Sequence, residues 1–246
     1  MEKALEKFLE SWQNNTNVIG ILLTGSYAVN MNHKNSDVDI RIIFDKDCDT
    51  VKGLIEIDGF KFSYLGRSYD KIENRIKKEF LINYKFEANV IRIGKVLLEK
   101  NSKVNELKQI ATYYQQSAFL VKDKDRNKLK TDMYLLYNYK SYLLSLDQNS
   151  PFFIYTYMSF MKLCLKSYSE FLNSEQVTDL KTEKLFTNSS YREKSGWIEF
   201  PDRKFVVLWQ SCISDISKQN LSEIFHYLEN KIIKFNEKNY KIIWKE

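Results

Sequence analysis

The feature that most constrains this chain is a short apolar run, Val18-Ile19-Gly20-Ile21-Leu22-Leu23-Thr24. A run of this length bounded by turn signals reads as a strand buried on both faces, which demands covering layers above and below it. The turn cluster Asn14-Asn15-Thr16-Asn17 precedes it and ends an amphipathic helix over 3–13, with Ala4, Leu5, Phe8, Leu9 and Trp12 at helical spacing. A second strand is expected at Val38–Phe44, and residues 25–37 leave room for a short helix and a loop.

Two more strands are expected at Leu54–Ile57 and Phe60–Leu65, joined by Asp58-Gly59, a dipeptide suited to a tight hairpin. Residues 68–84 return to helical periodicity, and Asn89–Leu98 looks extended with a turn at Gly94-Lys95. From residue 103 the character changes. Segments of near-3.6 period run through 104–120, 126–147, 151–173 and 219–235, with Pro151 placed as a first-turn proline. The stretch 188–203 reads as an irregular loop before a helix at 203–217. With only 7 Gly and 2 Pro, the second half favours helix over flexible linker. The expectation is an α+β chain: a mixed β-sheet with flanking helices over 1–102, then an all-α helical bundle over 103–246.

Charge narrows the partners. The net charge of +6 suits a polyanion such as a nucleoside triphosphate and does not repel nucleic acid. Much of it is solvated lysine mixed with acids, as in Lys77-Lys78, Lys122-Asp123-Lys124 and the run 234–238. Cys48, Cys164 and Cys212 are odd in number and widely spaced, which reads as reduced thiols in a cytoplasmic protein. The charged start of the chain is no signal peptide, and no apolar run reaches membrane-spanning length. A homo-oligomer is compatible with the sequence but not specified by it.

The chemistry concentrates in Leu23-Thr24-Gly25-Ser26-Tyr27-Ala28 and Asn35-Ser36-Asp37-Val38-Asp39-Ile40-Arg41. A buried strand ending in Gly25-Ser26 at a helix start offers backbone N–H groups and a hydroxyl to an anion. Glycine lets the backbone approach a phosphate closely. On the next strand the period of two puts Asp37, Asp39 and Arg41 on one face. Two carboxylates about 7 Å apart along a strand can share a pair of Mg²⁺ ions with phosphate oxygens and water. Each piece alone is commonplace. Their conjunction, in that order and flanked by apolar residues, is not.

This arrangement resembles the active-site signature of the DNA polymerase β-like nucleotidyltransferase superfamily: a Gly-Ser loop, a spacer, then an acid–apolar–acid strand. The motif likeness covers residues 18–44, and the expected strand order extends it to about residue 100. The resemblance implies a nucleotidyltransferase-like sheet followed by a helical domain. It also implies a two-metal, Mg²⁺-dependent transfer of a nucleoside monophosphate from a triphosphate to a hydroxyl acceptor. By carry-over, Gly25 and Ser26 would hold the triphosphate, and Asp37 and Asp39 would bind the metal. The acceptor would be a small molecule such as an antibiotic, or RNA or protein; the positive balance counts against a cationic aminoglycoside.

Two departures stand out. Members of the superfamily usually supply a third carboxylate from a later strand, and here that position is Ser63. A neutral hydroxyl is a poor Mg²⁺ ligand and no unaided base. Three readings stay open: Glu56 or Asp58 fills the role across the hairpin; two carboxylates suffice; or the chain is a degenerate nucleotide-binding regulatory protein. The second departure is Val29-Asn30, where many members carry Arg-Gly. Other residues admit structural roles as readily as functional ones. Arg41 either serves Asp39 or a phosphate or reaches solvent, and Lys140 and Lys162 either line a cleft or snorkel. The aromatic helix 152–158 either stacks a base or fills a core. His33 lies in the spacer loop, His226 is expected at a helix interface, and the Phe200-Pro201-Asp202 loop is expected to be structural.

Overall fold

The computed structural model of the chain describes residues 1–120 and 125–243; the mixed-charge run Lys122-Asp123-Lys124 lies outside them. The apolar run forms β1 (Val18–Thr24), buried at every position. Its neighbours are β2 (Val38–Phe44), β3 (Val51–Ile57), β4 (Phe60–Ser68) and β5 (Lys95–Glu99), in the order β3-β4-β2-β1-β5. The sheet is mixed: β2 and β4 run parallel, and the other three pairings are antiparallel. Asp58 (φ 49°) and Gly59 (φ 80°) turn the β3–β4 hairpin, both in the left-handed region that such a two-residue turn requires.

One face of the sheet packs Val18, Ile21, Ile40, Ile42 and Phe62 against Ala4 and Phe8 of α1 (Glu2–Gln13). The opposite face packs Leu22 and Ile43 against α3 (Tyr69–Leu81), α4 (Phe86–Ile93) and α5 (Lys103–Gln116), through Ile72, Ile76, Ala88, Ile91, Val104 and Leu107. A four-residue helix, α2 (Gly25–Ala28), leaves the end of β1. Here the extended reading of Asn89–Leu98 is corrected: residues through Ile93 are helical, and only Lys95–Glu99 is strand. The alternation in Val90-Ile91-Arg92-Ile93 mimics a strand. Ala88 and Ile91, three residues apart, instead share the helix face that covers the sheet. The ammonium of Lys108 on α5 binds the carbonyls of Ile91, Arg92 and Gly94, closing the end of α4.

The chain forms two compact units, one of residues 1–118 with 187–198, the other of residues 119–186 with 199–246. The first break thus falls after α5 rather than before it, where the sequence placed it, because α5 buries Val104, Leu107 and Ala111 in the sheet's helical layer. The second unit holds α6 (Arg126–Ser145), α7 (Pro151–Phe171), α8 (Asp179–Thr187), α10 (Arg203–Ser214) and α11 (Lys218–Lys231). Its core centres on Tyr157, Phe160, Cys164, Tyr168, Phe205 and Leu221. Asp125, Ser150, Asp202 and Ser217 each accept a backbone N–H at a helix start.

The loop expected at 188–203 contains α9 (Ser189–Ser195), which belongs to the first unit. Asn188 caps its start and Gly196 (φ 72°) ends it, two signals present in the sequence but attached to a helix too short and polar to show periodicity. The three cysteines are free. Among the described residues, no helix is long and apolar enough to cross a membrane.

Candidate active site

The antiparallel β1–β2 register sets Thr24 opposite Asp39, and the parallel β2–β4 register sets Asp39 beside Ser63. Leu54 of β3 lies opposite Ser63, so Thr24, Asp39, Ser63 and Leu54 form one row across four strands on a common face. One step further along, Arg41 lies between Leu22 and Leu65; beyond it, Ile43 is buried under the helical layer. Asp39 therefore stands, half-buried, where the covered part of the face gives way to the end of β1. The Thr24 hydroxyl donates to the Asp39 carbonyl at 3.2 Å, tying the two strand ends together.

Gly25 follows Thr24 with φ 65°. A Cβ at this position would sit 2.8 Å from Asp39 Cγ and closer still to Oδ2. Only glycine allows the chain to turn here with the Asp39 carboxylate packed directly on its backbone. The turn continues through Ser26, whose carbonyl accepts from Met31 N at 2.9 Å. Asn30, standing where many relatives of the motif carry glycine, adopts φ 54°. Asparagine tolerates that left-handed conformation better than most residues, so the Val29-Asn30 departure leaves the turn intact. Lys95 on β5 reaches the Asn30 side chain at 3.1 Å.

The spacer loop is organised by its own short bonds: His33 N donates to Ser36 Oγ at 2.9 Å and Ser36 N to the His33 carbonyl at 3.0 Å. Asp37 is exposed and immediately precedes β2. Of the residues the sequence singled out, the fold brings Gly25 against Asp39 and sets Asp37 two residues away at the strand entry. Ser63 occupies the neighbouring position on β4. Neither acid of the hairpin replaces it. Asp58 is held by Lys7 of α1 at 2.8 Å, toward the opposite face. Glu56 shares the Asp39 face but lies two strands across and two residues along, about 12 Å away by strand spacing and rise. Among the described residues no group of three His, Cys, Asp or Glu side chains gathers as a metal cage.

Sequence reasoning missed what lies behind Arg41. Glu87, at the start of α4 and 1% exposed, is approached by Arg41 Nε at 3.9 Å, Arg67 Nη1 at 3.7 Å and Arg75 Nε at 3.6 Å. Arg75 also pairs with Glu79 at 2.8 Å, and Glu79 accepts from the Glu87 backbone N–H at 2.7 Å. Burial pushes the Arg41 guanidinium below its ordinary value, while Glu87 and then Asp39 act in the opposite direction. Burial raises the Glu79 carboxyl, against the Glu87 amide and Arg75. Arg41 is thus no strand-end residue reaching solvent. Its charge, felt by Asp39, belongs to an ionic cluster centred on the buried Glu87, in which Arg67, the half-exposed Arg75 and Glu79 also take part. The signal for it was an isolated Glu87 in apolar company, obscured by the mistaken strand.

The remaining candidates take structural places within the second unit. Lys140 Nζ lies 4.5 Å from the Phe225 ring centroid, and Lys162 pairs with Asp179 at 2.7 Å. In α7, Phe153 and Tyr157 are fully buried while Phe152 and Tyr155 are exposed. His226 is not at a helix interface; it is exposed on α11 beside Glu229. Leu221, Ile224, Phe225 and Leu228 take the inward face and leave residue 226 on the outer one. Asp202 caps α10 and also accepts from the hydroxyls of Tyr168 at 2.6 Å and Tyr227 at 2.8 Å, as its structural reading requires.

No curated protein matches the sequence. Among solved structures, a nucleotidyltransferase-like protein from Exiguobacterium sibiricum is similar at a TM-score of 0.46 and 10% identity, over 94% of this chain and 74% of that one. The family model of the nucleotidyltransferase domain matches residues 1–107, the segment that holds the five-stranded sheet, the Gly25-Ser26 turn and Asp39. Over residues 1–107, this chain is thus similar to the nucleotidyltransferase domain family.

Proposed function

We propose that the chain transfers a nucleoside monophosphate from a nucleoside triphosphate to a hydroxyl acceptor. In this reading Gly25 and Ser26 hold the triphosphate, and Asp37 and Asp39 hold Mg²⁺ in a two-metal arrangement. The observation that carries it is the contact between Gly25 and Asp39: a backbone shaped for close approach lies against the carboxylate that would share a metal with the phosphates. The donor set is all oxygen, as a hard cation requires. When bound, Mg²⁺ neutralises phosphate charge and holds the entering and leaving oxygens in line.

The chain's own residues supply position and charge. The Gly25-Ser26 amides and the Ser26 hydroxyl orient phosphate oxygens. Arg41, with Glu87 behind it at 3.9 Å, sets a positive charge near Asp39. In the transfer, a bond forms from the acceptor oxygen to the α-phosphorus, the bond to pyrophosphate breaks, and the hydroxyl proton leaves. With serine at 63, that proton passes to Asp37, Asp39 or a basic group of the acceptor itself. The basic chain favours an RNA or protein acceptor or a neutral small molecule over a polycationic one.

One observation favours a second reading, nucleotide binding without turnover: the position beside Asp39 on β4 is Ser63. A single experiment separates the two. The purified chain is incubated with each α-labelled nucleoside triphosphate, Mg²⁺ or Mn²⁺, and a panel of antibiotics, tRNA and proteins. Transfer of label that disappears in Asp39→Ala establishes the enzyme. Metal-dependent nucleotide binding without transfer, lost in the same variant, establishes the regulatory reading. Equal behaviour of wild type and Asp37→Ala/Asp39→Ala would remove both.

A further inference from the structure

We infer that β3 is a homodimerisation edge, and that two copies of this chain pair their β3 strands antiparallel about Leu54. The strand lies at one end of the sheet, so among the described residues its outer N–H and C=O groups have no neighbouring strand. Such an edge is normally blunted by proline, a bulge or lone charges. β3 has no proline, pairs with β4 in unbroken register over its whole length, and exposes Val51, Leu54 and Ile55 at 36%, 65% and 46%. Three exposed aliphatic side chains on seven edge residues are a template for another strand.

The order of residues selects which strand. A two-fold axis through Leu54 sets residue 51 against 57 of the second copy, 52 against 56, 53 against 55, and Leu54 against itself. Lys52 then faces Glu56 of the second copy, and Glu56 faces its Lys52, giving two cross-strand ion pairs that flank the Leu54 contact on one face. On the other face Val51 meets Ile57, and Ile55 stands across from Gly53, where the Tyr64 ring covers the backbone. The lysine that would repel a generic strand attracts this one. Self-complementarity of this kind is what an isologous interface needs.

The opposite edge is a poorer platform. β5 has five residues, its pairing with β1 is broken by a register shift, and its Lys95 is engaged by Asn30. Pairing through β3 yields a continuous ten-stranded sheet. Because the axis is normal to the sheet, both Asp39 sites open on the same face, about 24 Å apart by strand spacing.

The test is the mass of the full chain in solution by sedimentation or light scattering at 1–100 µM, about the range expected for a modest interface. The wild type is expected to form a dimer. Lys52→Glu sets like charges opposite each other at both flanking positions and is expected to weaken the dimer about tenfold or more. Glu56→Lys does the same, and the double variant Lys52→Glu/Glu56→Lys is expected to dimerise again. Circular dichroism melts confirm that each variant folds. In a Cys48→Ser background, Leu54→Cys is expected to form an intermolecular disulfide on mild oxidation. Residues directly opposite on antiparallel strands have Cα atoms about 4.5–5.5 Å apart, within disulfide reach. Lys52→Cys, which does not face itself, is expected to stay reduced. A monomeric wild type at 100 µM, failure of the double variant to restore the dimer, or preferential cross-linking through Leu97→Cys on β5 would each overturn the inference.

Discussion

At Gly25 a single hydrogen atom decides the geometry, because any side chain there would strike the Asp39 carboxylate. Gly25→Ala is expected to strain the backbone by about 1–2 kcal/mol at its positive φ. Displacing Asp39 is further expected to lower transfer by about 100-fold, as misplacement by an ångström commonly does. The check is labelled-nucleotide transfer beside a thermal melt showing that the variant still folds. Ser63→Asp is the complementary change. It sets a carboxylate next to Asp39 and is expected to tighten Mg²⁺-dependent nucleotide binding, read by calorimetry, and to raise transfer if a third ligand limits turnover. The candidate residues Gly25, Ser26, Asp37 and Asp39 stand out in the sequence because a short loop and one strand carry them all. Ser63 was readable as an absence for the same reason. Glu87 was not, since its role depends on three arginines drawn from two strands and a helix, a convergence that no local pattern records.

Elements behave in the same way. Strands β1, β2 and β4 announced themselves by apolar runs, and the long helices by their period. What escaped was α4, whose alternating residues belong to a helix because Ala88 and Ile91 face the sheet, and α9, seven polar residues between an Asn cap and a Gly stop. Two predictions concern how elements are joined. Glu87→Ala removes the acid that three arginines share and is expected to destabilise the first unit by about 3–5 kcal/mol in urea unfolding. In the helical unit, Asp202 ties α10 to α7 and α11. Asp202→Ala costs the cap of α10 and strands two tyrosine hydroxyls, about 2–4 kcal/mol in total. Burial would raise the Asp202 carboxyl, but the Tyr168 and Tyr227 hydroxyls, the Phe205 amide and Lys231 bring it below its ordinary value. Burial, and then the hydrogen bond to Asp202, push the Tyr227 hydroxyl up to about 12. A depressed carboxylate contributes stability that is complete above the unfolded value, about pH 4, and is lost as pH falls through the folded value. Acid unfolding of wild type should therefore steepen below about pH 4, and that of Asp202→Asn should be flatter in the same window.

For the whole molecule, the notable fact is that the chain order and the compact units do not coincide. The family match ends at residue 107, yet the first unit runs through α5 and takes back residues 187–198, where the Gly196 carbonyl accepts from Gln115 of α5. A fragment of residues 1–118 lacks that segment. It is expected to keep the sheet but to show faster amide exchange in α5 and quicker proteolysis near residue 115 than the intact chain. Mass spectrometry after a short protease pulse reads the difference. Sequence reading placed the break at 102 because helical periodicity begins there, and periodicity says which face is apolar but not which layer it covers. The returning segment also sets the timing of synthesis. A domain that is contiguous in sequence can complete itself while its successor is still being translated. Here the sheet domain must leave its last piece open until most of the helical unit has emerged from the ribosome, so the two units mature together rather than one after the other.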